Sequence, residues 1–171
     1  MMVMSAAATA GLASNANAFD LGAAAGKGLN AVTGKSRDKL VAKLNAKLLA
    51  EGRKNQCSFK SDSDELAPGC DAKVRRLAKT LADVKKNLQV SGVTSYKFEV
   101  AGHTDTSGSA DHNKALSEKR AAVIVKELVA VGVDPKDIVA VGMGSERPLV
   151  KDDNTPAKKA KNRRYEIQIR F

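Results

Sequence analysis

Residues 71–171 alternate between the hydrophobic spacing of amphipathic helices and that of half-buried strands. In the clearest strand, Tyr96, Phe98 and Val100 alternate with charged residues, which is the two-residue period of a strand with one buried face. The pattern predicts, in chain order, a weak strand at 57–59, a helix at 71–88, a strand at 95–102, a helix at 111–131, and strands at 137–142 and 164–171. This alternation predicts an α+β fold of β-α-β-α-β-β order, a sandwich in which helices pack on one face of a mixed sheet.

The N-terminal part of the chain lacks this pattern. Residues 1–18 carry no charge and end in Ala-Asn-Ala, which is typical of a signal-peptidase site, so we predict a signal peptide with Phe19 as the mature N-terminus. A flexible alanine-rich tail is the alternative, because the segment has no basic residue. We interpret residues 19–52 as a Gly/Ala linker followed by an amphipathic helix at 36–50, and residues 53–171 as the main domain.

The helix predicted at 36–50 has a single apolar stripe, with Ser36 as its N-cap and Gly52 at its end. The stripe consists of Leu40, Val41, Leu44, Leu48 and Leu49. It either docks on the main domain or pairs with a partner, and docking is the usual behaviour of such a stripe.

Cys57 and Cys70 are the two cysteines, too few for a tetrathiolate zinc site. In an exported chain they predict one disulfide, whereas in a reducing compartment they would be two thiols. We expect no metal or cofactor. We also expect no transmembrane helix and no lipid anchor, because no second long apolar run occurs and no cysteine follows the small-residue stretch.

The charge balance indicates an acidic partner: 29 Lys and Arg stand against 19 Asp and Glu, for a formal net charge of +10. One basic cluster suits nucleic acid and consists of Lys158, Lys159, Lys161, Arg163 and Arg164. Aromatic residues make up only 4% of the chain, with no Trp, and the export signal also argues against this partner. We therefore expect no nucleic-acid binding, and no enzymatic activity, because no Ser or Cys nucleophile stands in a recognisable turn with a base.

An arginine lies inside the apolar stripe of the helix predicted at 111–131. Leu116, Val123, Ile124 and Val131 define that stripe, and Arg120 falls within it. A partly buried guanidinium stays charged and requires an anion, and Asp105 in the preceding loop is the nearest candidate.

Two interpretations of this arginine remain open. In the first, Asp105 and Arg120 form a structural salt bridge and Asn113 caps the helix. In the second, the residues form a site for a zwitterion: Arg120 binds the ligand's carboxylate, Asp105 its ammonium, and Asn113 fixes the orientation.

Five ordered motifs resemble the OmpA-like peptidoglycan-binding domain found in OmpA, MotB and Pal-type proteins. They are GHTDTSG at 102–108, Asn113, LSEKRA at 116–121, GMGSERP at 142–148 and NRRYEI at 162–167. The resemblance implies that Asp105 and Arg120 hold the diaminopimelate side chain of a peptidoglycan stem peptide, in the same pocket as Asn113. It also implies that Arg164 lies at the pocket edge and that Thr104 and Leu116 form walls. Lys60 departs from the pattern, and Asp62 is expected to supply the polar contact there.

The resemblance implies a non-enzymatic periplasmic protein that binds peptidoglycan and links an envelope component to the cell wall, in association with the outer membrane. An outer-membrane or envelope-complex protein would then be the partner of residues 36–50. The alternative role is that of an accessory cell-wall-binding subunit of a motor or secretion complex.

Overall fold

The computed structural model of the protein describes residues 34–60 and 62–171. The helices in these ranges are α1 (Gly34–Lys54), α2 (Asp71–Val90), α3 (Ala110–Ala130) and α4 (Pro156–Asn162), and the strands are β1 (Lys97–His103), β2 (Ile138–Gly142) and β3 (Arg164–Arg170). The predicted signal peptide at 1–18 and the Gly/Ala-rich segment that follows it lie outside the described residues. None of the helices within the described ranges is long and apolar enough to cross a bilayer.

Strand β1 is the centre of the sheet, whose order is β2-β1-β3. β2 runs parallel to β1, with Val100 opposite Ala140, and β3 runs antiparallel to it, with Val100 opposite Ile167. A parallel pair needs a crossover connection, which α3 supplies. The mixed sheet confirms the predicted α+β fold class.

The two faces of the sheet differ in polarity. Phe98, Val100 and Ile167 are buried on one face, where α1 and α3 contact the strands and α2 packs on both helices. On the other face, Gln168 Nε2 donates a hydrogen bond of 2.8 Å to Glu99 Oε1. The helices therefore pack on one face, as the alternation predicts.

The weak strand predicted at 57–59 is reduced to a single bridge between Phe59 and Leu66. The reason lies at the outer edge of β3, where the amide of Gln56 takes the place of a neighbouring strand. Its Nε2 donates to the Tyr165 carbonyl oxygen at 2.7 Å, and its Oε1 accepts from the Tyr165 backbone nitrogen at 3.1 Å. The described sheet consequently has three strands rather than the four predicted.

Helix α4 is absent from the sequence prediction, which treats this Lys-rich segment as a connection. Its start has ordinary helix signals: Pro156 stands in the first turn, and the Thr155 side chain accepts a hydrogen bond from the Lys158 backbone nitrogen. At seven residues it is too short to show a hydrophobic period, so periodicity could not detect it.

Helix α1 docks on the domain, which confirms the first alternative for the predicted amphipathic helix. Leu44 and Leu48 are buried in the common core, and Asn45 Oδ1 accepts a hydrogen bond of 2.7 Å from the Ile169 backbone nitrogen. The helix is longer than the predicted 36–50, because it contains Ser36 instead of starting there and continues through Gly52, which is buried. The apolar stripe is thus occupied by the chain itself.

Helix α3 packs closely on the sheet at two glycines of the strands. A Cβ on Gly102 would stand 2.2 Å from the Ser117 carbonyl oxygen, and one on Gly142 would stand 2.6 Å from the Lys114 carbonyl oxygen. Small residues of α3 therefore face the strands, and the predicted stripe is partly wrong: Leu116, Val123 and Val131 are only half-buried. The buried set is Asn113, Ser117, Arg120, Ala121, Ile124 and Leu128.

The contact between α3 and β1 predicts a high cost for any side chain at Gly102. We expect Gly102→Ala to lower the free energy of unfolding by about 2 to 3 kcal/mol, because the helix backbone must move away from the sheet. The measurement is equilibrium urea unfolding. Gly52→Ala in α1 is the matched control: an added Cβ there meets nothing within 4 Å, so we expect a gain of up to about 1 kcal/mol from helix propensity. Equal stability of Gly102→Ala and the wild type would contradict this account of the packing.

Candidate functional site

An open groove of about 1040 Å³ lies where the connection between β1 and α3 meets the start of α3, residues 53–60 and the junction of α4 with β3. All seven residues predicted to form the binding site line this groove. They are Asp62, Thr104, Asp105, Asn113, Leu116, Arg120 and Arg164. The fold therefore brings together residues that are up to 102 positions apart in the sequence.

Arg120 is buried at the groove, with 7% of its surface exposed. Its Nε donates a hydrogen bond of 2.8 Å to the Ser63 carbonyl oxygen, and a terminal nitrogen lies 3.4 Å from the Lys60 carbonyl oxygen. The guanidinium carbon stands 5.1 Å from the centre of the Phe59 ring, within the range of a cation–π contact. None of these partners carries a negative charge.

The charge on Arg120 is therefore solvated by dipoles and by an aromatic ring. Burial and the nearby Arg163 lower the pKa of Arg120, while Asp62 and Asp105 act in the opposite direction. A guanidinium remains protonated despite such shifts. Among the described residues no carboxylate forms an ion pair with Arg120, so its capacity to bind an anion is unused.

Asp105 is paired with Arg163 and not with Arg120. Its Oδ2 accepts a hydrogen bond of 2.8 Å from Arg163, and its Oδ1 accepts one of 2.9 Å from the Ser107 backbone nitrogen. Burial favours the neutral acid, but these hydrogen bonds outweigh it and hold the pKa of Asp105 below its usual value. The proposed structural salt bridge between Asp105 and Arg120 is therefore wrong.

Arg163 is the residue of this pair that sequence reasoning missed. It appears there only as part of a basic cluster, whereas its neighbour Arg164 is assigned to the pocket edge. In the structure Arg163 is the C-cap of α4, the helix that periodicity did not predict, and this position turns it toward Asp105. The sequence signal that could have identified Arg163 was Asp105, an acidic residue in the loop after β1.

Asn113 holds the loop that carries Asp105. Its Nδ2 donates a hydrogen bond of 2.8 Å to the Ser107 carbonyl oxygen and lies 3.4 Å from the Asp105 carbonyl oxygen. The helix cap predicted for Asn113 is supplied instead by Ser109, whose side chain accepts from the His112 backbone nitrogen. Asn113 is buried, so the loop is fixed from beneath.

Two buried polar side chains in the groove wall have unpaired atoms. Thr104 Oγ1 and both ring nitrogens of His103 have no hydrogen-bond partner among the described residues. Burial, with the nearby Arg164 and in opposition to Glu166, lowers the pKa of His103 to about 4. His103 is therefore neutral at neutral pH, and the unpaired atoms of both side chains are buried beneath the groove surface.

The remaining predicted residues form the rim and walls. Arg164 Nε donates a hydrogen bond of 2.8 Å to Glu166, so its charge is already neutralised. Asp62 stands at the mouth, where its carboxylate is 2.8 Å from His112 Nε2 and 73% of its side chain is exposed. Leu116 is half-buried and supplies an apolar wall.

The predicted disulfide between Cys57 and Cys70 is present, with the two Cα atoms 5.3 Å apart. It closes what we call the disulfide loop, residues 57–70, of which Ser61 lies outside the described ranges. This loop provides Phe59 and the two carbonyl oxygens that hold Arg120. The disulfide therefore stabilises the surroundings of Arg120.

The sequence profile of the OmpA family matches residues 58–163, a segment that contains most of the residues lining the groove. The chain belongs to the OmpA family. Outer membrane porin F of Pseudomonas fluorescens is 43% identical over 91 residues, which cover 53% of this chain and 26% of that protein. The peptidoglycan-associated lipoprotein of Pseudomonas aeruginosa is 34% identical over 110 residues, which cover 64% of this chain and 59% of the lipoprotein.

A solved structure of the same family has a similar fold. The peptidoglycan-associated lipoprotein from Burkholderia pseudomallei matches with a TM-score of 0.55 and 25% identity, over 67% of this chain and 89% of that one. This OmpA-family chain thus spans about a quarter of the porin and over half of the Pseudomonas aeruginosa lipoprotein.

The low pKa of His103 predicts a loss of stability in mild acid. An unfolded histidine titrates near pH 6.5, so between about pH 6.5 and 4 the unfolded chain binds more protons than the folded one, and the free energy of unfolding falls as the pH falls. In the His103→Gln variant we expect the free energy of unfolding to decline less steeply over this pH range, by up to roughly 1.4 kcal/mol per pH unit. The measurement is urea unfolding at several pH values. His112→Gln, at the exposed side of the groove, should retain the decline. A wild-type slope in His103→Gln would exclude His103 as its source.

Proposed function

We propose that this chain is a non-enzymatic protein that binds peptidoglycan, and that the groove receives the free end of diaminopimelate in a stem peptide. The observation that carries the proposal is Arg120, a buried guanidinium held by backbone carbonyl oxygens and without a carboxylate partner among the described residues. A guanidinium that is held in place but not neutralised can bind the carboxylate of a ligand.

The free end of diaminopimelate is an amino-acid group, with a carboxylate and an ammonium on one carbon. Arg120 offers donors for the carboxylate, and Asp105, which is ionised at neutral pH, offers an acceptor for the ammonium. Asn113 keeps the Asp105 loop in position, and Thr104 forms part of the groove wall. Leu116 and Phe59 provide apolar surface for the methylene chain of the ligand.

The name of the Pseudomonas aeruginosa relative supports this polymer as the ligand, since that lipoprotein is described as peptidoglycan-associated. The disulfide supports an oxidising compartment. We therefore propose a periplasmic location, in association with the outer membrane, where the chain links an envelope component to the cell wall. Because Leu44 and Leu48 of α1 are buried in the domain, such a component would meet the outer face of that helix.

The net charge of +10 agrees with a wall polymer that carries many carboxylates. Seven arginines and lysines line the groove, against three acidic residues. Diffuse attraction of this kind raises the rate of encounter, while the fixed positions of Arg120 and Asp105 provide specificity.

The proposal predicts that two conservative substitutions remove most of the binding. Asp105→Asn loses the ammonium's counter-charge, and Arg120→Lys keeps a positive charge but loses the forked donors. We expect each to weaken co-sedimentation with purified sacculi at least about tenfold.

Matched controls and a folding check accompany this experiment. Asp152→Asn and Lys119→Gln change the same charge types at exposed positions outside the groove and should bind like the wild type. Urea unfolding of every variant excludes loss of fold as the cause. Undiminished sedimentation of both Asp105→Asn and Arg120→Lys would overturn the site assignment.

A further inference from the structure

Helix α1 carries a row of lysines on its solvent side. The row consists of four exposed residues that stand four positions apart, Lys35, Lys39, Lys43 and Lys47. Residues at this spacing are neighbours on a helix surface, so the row extends for roughly 18 Å along the axis. Three exposed small residues lie beside it, Ala42, Ala46 and Ala50. We call the surface formed by these seven residues the lysine face.

The part of the chain that the structure describes does not neutralise this face. None of its ion pairs or side-chain hydrogen bonds involves the four lysines. The two acidic residues of α1 have other partners, because Asp38 lies 3.8 Å from Arg37 and Glu51 accepts a hydrogen bond of 2.9 Å from Lys54. The row therefore presents four positive charges to the surroundings of the domain.

This arrangement is unfavourable for the helix itself. Like charges four residues apart repel each other, and the row contains three such pairs in succession. Lys35 stands in the first turn of α1, where the partial positive charge of a helix N-terminus disfavours a cation, and no acidic residue of that turn compensates. A row that costs the helix stability points to an anion from outside the chain.

The docking of α1 fixes the direction of the lysine face. Leu44 and Leu48 are buried in the core, and the Asn45 side chain accepts a hydrogen bond of 2.7 Å from the Ile169 backbone nitrogen. The apolar stripe of α1 is thus already covered and has no part in binding at the opposite side. None of the four lysines lines the groove, so the face is a separate surface of the domain.

The residue types of this face favour a lipid surface over a protein as the partner. Protein interfaces are depleted in Lys and Ala, and their affinity depends on large apolar or aromatic anchors. The exposed large hydrophobic residues of the described ranges all lie outside α1; they are Val90, Val139, Leu149 and Phe171. A layer of anionic headgroups requires no such anchor and attracts clusters of four or more basic residues on a helix.

We propose that the lysine face binds the phosphate groups of an anionic phospholipid surface, with α1 lying along the headgroups. The inference goes beyond the proposed function and concerns none of the residues that line the groove. It assigns a chemical class to the envelope component that the chain would link to the cell wall. The attraction acts within about a Debye length, so this binding weakens as salt is added.

Vesicle co-sedimentation of the full chain tests the inference. The probes are vesicles with about one third phosphatidylglycerol in phosphatidylcholine, and vesicles of phosphatidylcholine alone. We expect the wild type to bind the anionic vesicles at least about tenfold more tightly, and to release them at about 0.5 M NaCl. Replacing all four lysines of the row by Gln should weaken binding to the anionic vesicles at least about tenfold.

The matched control removes the same charge from elsewhere on the domain. It combines four exposed positions outside the groove and outside α1: Lys119→Gln, Lys126→Gln, Lys136→Gln and Lys151→Gln. We expect it to bind the anionic vesicles within about threefold of the wild type, because it removes only diffuse attraction. Urea unfolding excludes loss of fold, since removal of the like-charge pairs should leave the lysine-row variant at least as stable as the wild type.

Three results would overturn the inference. They are equal binding of the two kinds of vesicle by the wild type, equal weakening by the two quadruple variants, and a lysine-row variant that loses sacculi while it retains the vesicles. The last result would assign the lysine face to the wall polymer. We expect instead that both quadruple variants sediment equally with sacculi. Failure of the wild type to sediment with sacculi would count against the proposed function alone.

Discussion

The groove depends on how Arg120 is held. A guanidinium with 7% exposure would normally be paired with a carboxylate, yet this one is bonded to the carbonyl oxygens of Lys60 and Ser63 and faces the Phe59 ring. Carbonyl dipoles and a ring orient the side chain and reduce its desolvation cost without neutralising it. Within the part of the chain that the structure describes, this positive charge is fixed at the groove without a carboxylate partner, and the surrounding loops maintain it.

Two parts of the fold position that charge. The close packing of α3 on the sheet, which Gly102 and Gly142 allow, brings the helix near enough for Asn113 to hold the Asp105 loop. The disulfide between Cys57 and Cys70 closes the loop whose carbonyl oxygens hold Arg120 from the other side. A rigid support of this kind lowers the entropy lost when a ligand binds, because the binding groups are already in place.

Periodicity was sufficient to predict the fold class, the central strand and the unusual place of Arg120 within an apolar stripe. It failed where backbone groups or a single side chain decide the structure. Gln56 occupies the edge of β3 with one amide, and the partners of Arg120 are carbonyl oxygens 57 and 60 residues away, which any residue type could provide. Arg163 was missed because its direction depends on α4, a helix too short to leave a hydrophobic pattern.

The central claim is that Arg120 is the receptor for a ligand carboxylate, and arginine side-chain NMR tests it most directly. The Nε–H resonances of the labelled chain, assigned with Arg120→Lys, are followed during titration with the N-acetylmuramoyl tripeptide that contains meso-diaminopimelate. The matched tripeptide with L-lysine in its place has a side chain that ends in an ammonium alone. The account predicts a saturable shift of the Arg120 resonance with the first peptide and none with the second. An unmoved Arg120 resonance under saturating diaminopimelate peptide, or equal shifts with both peptides, would contradict it.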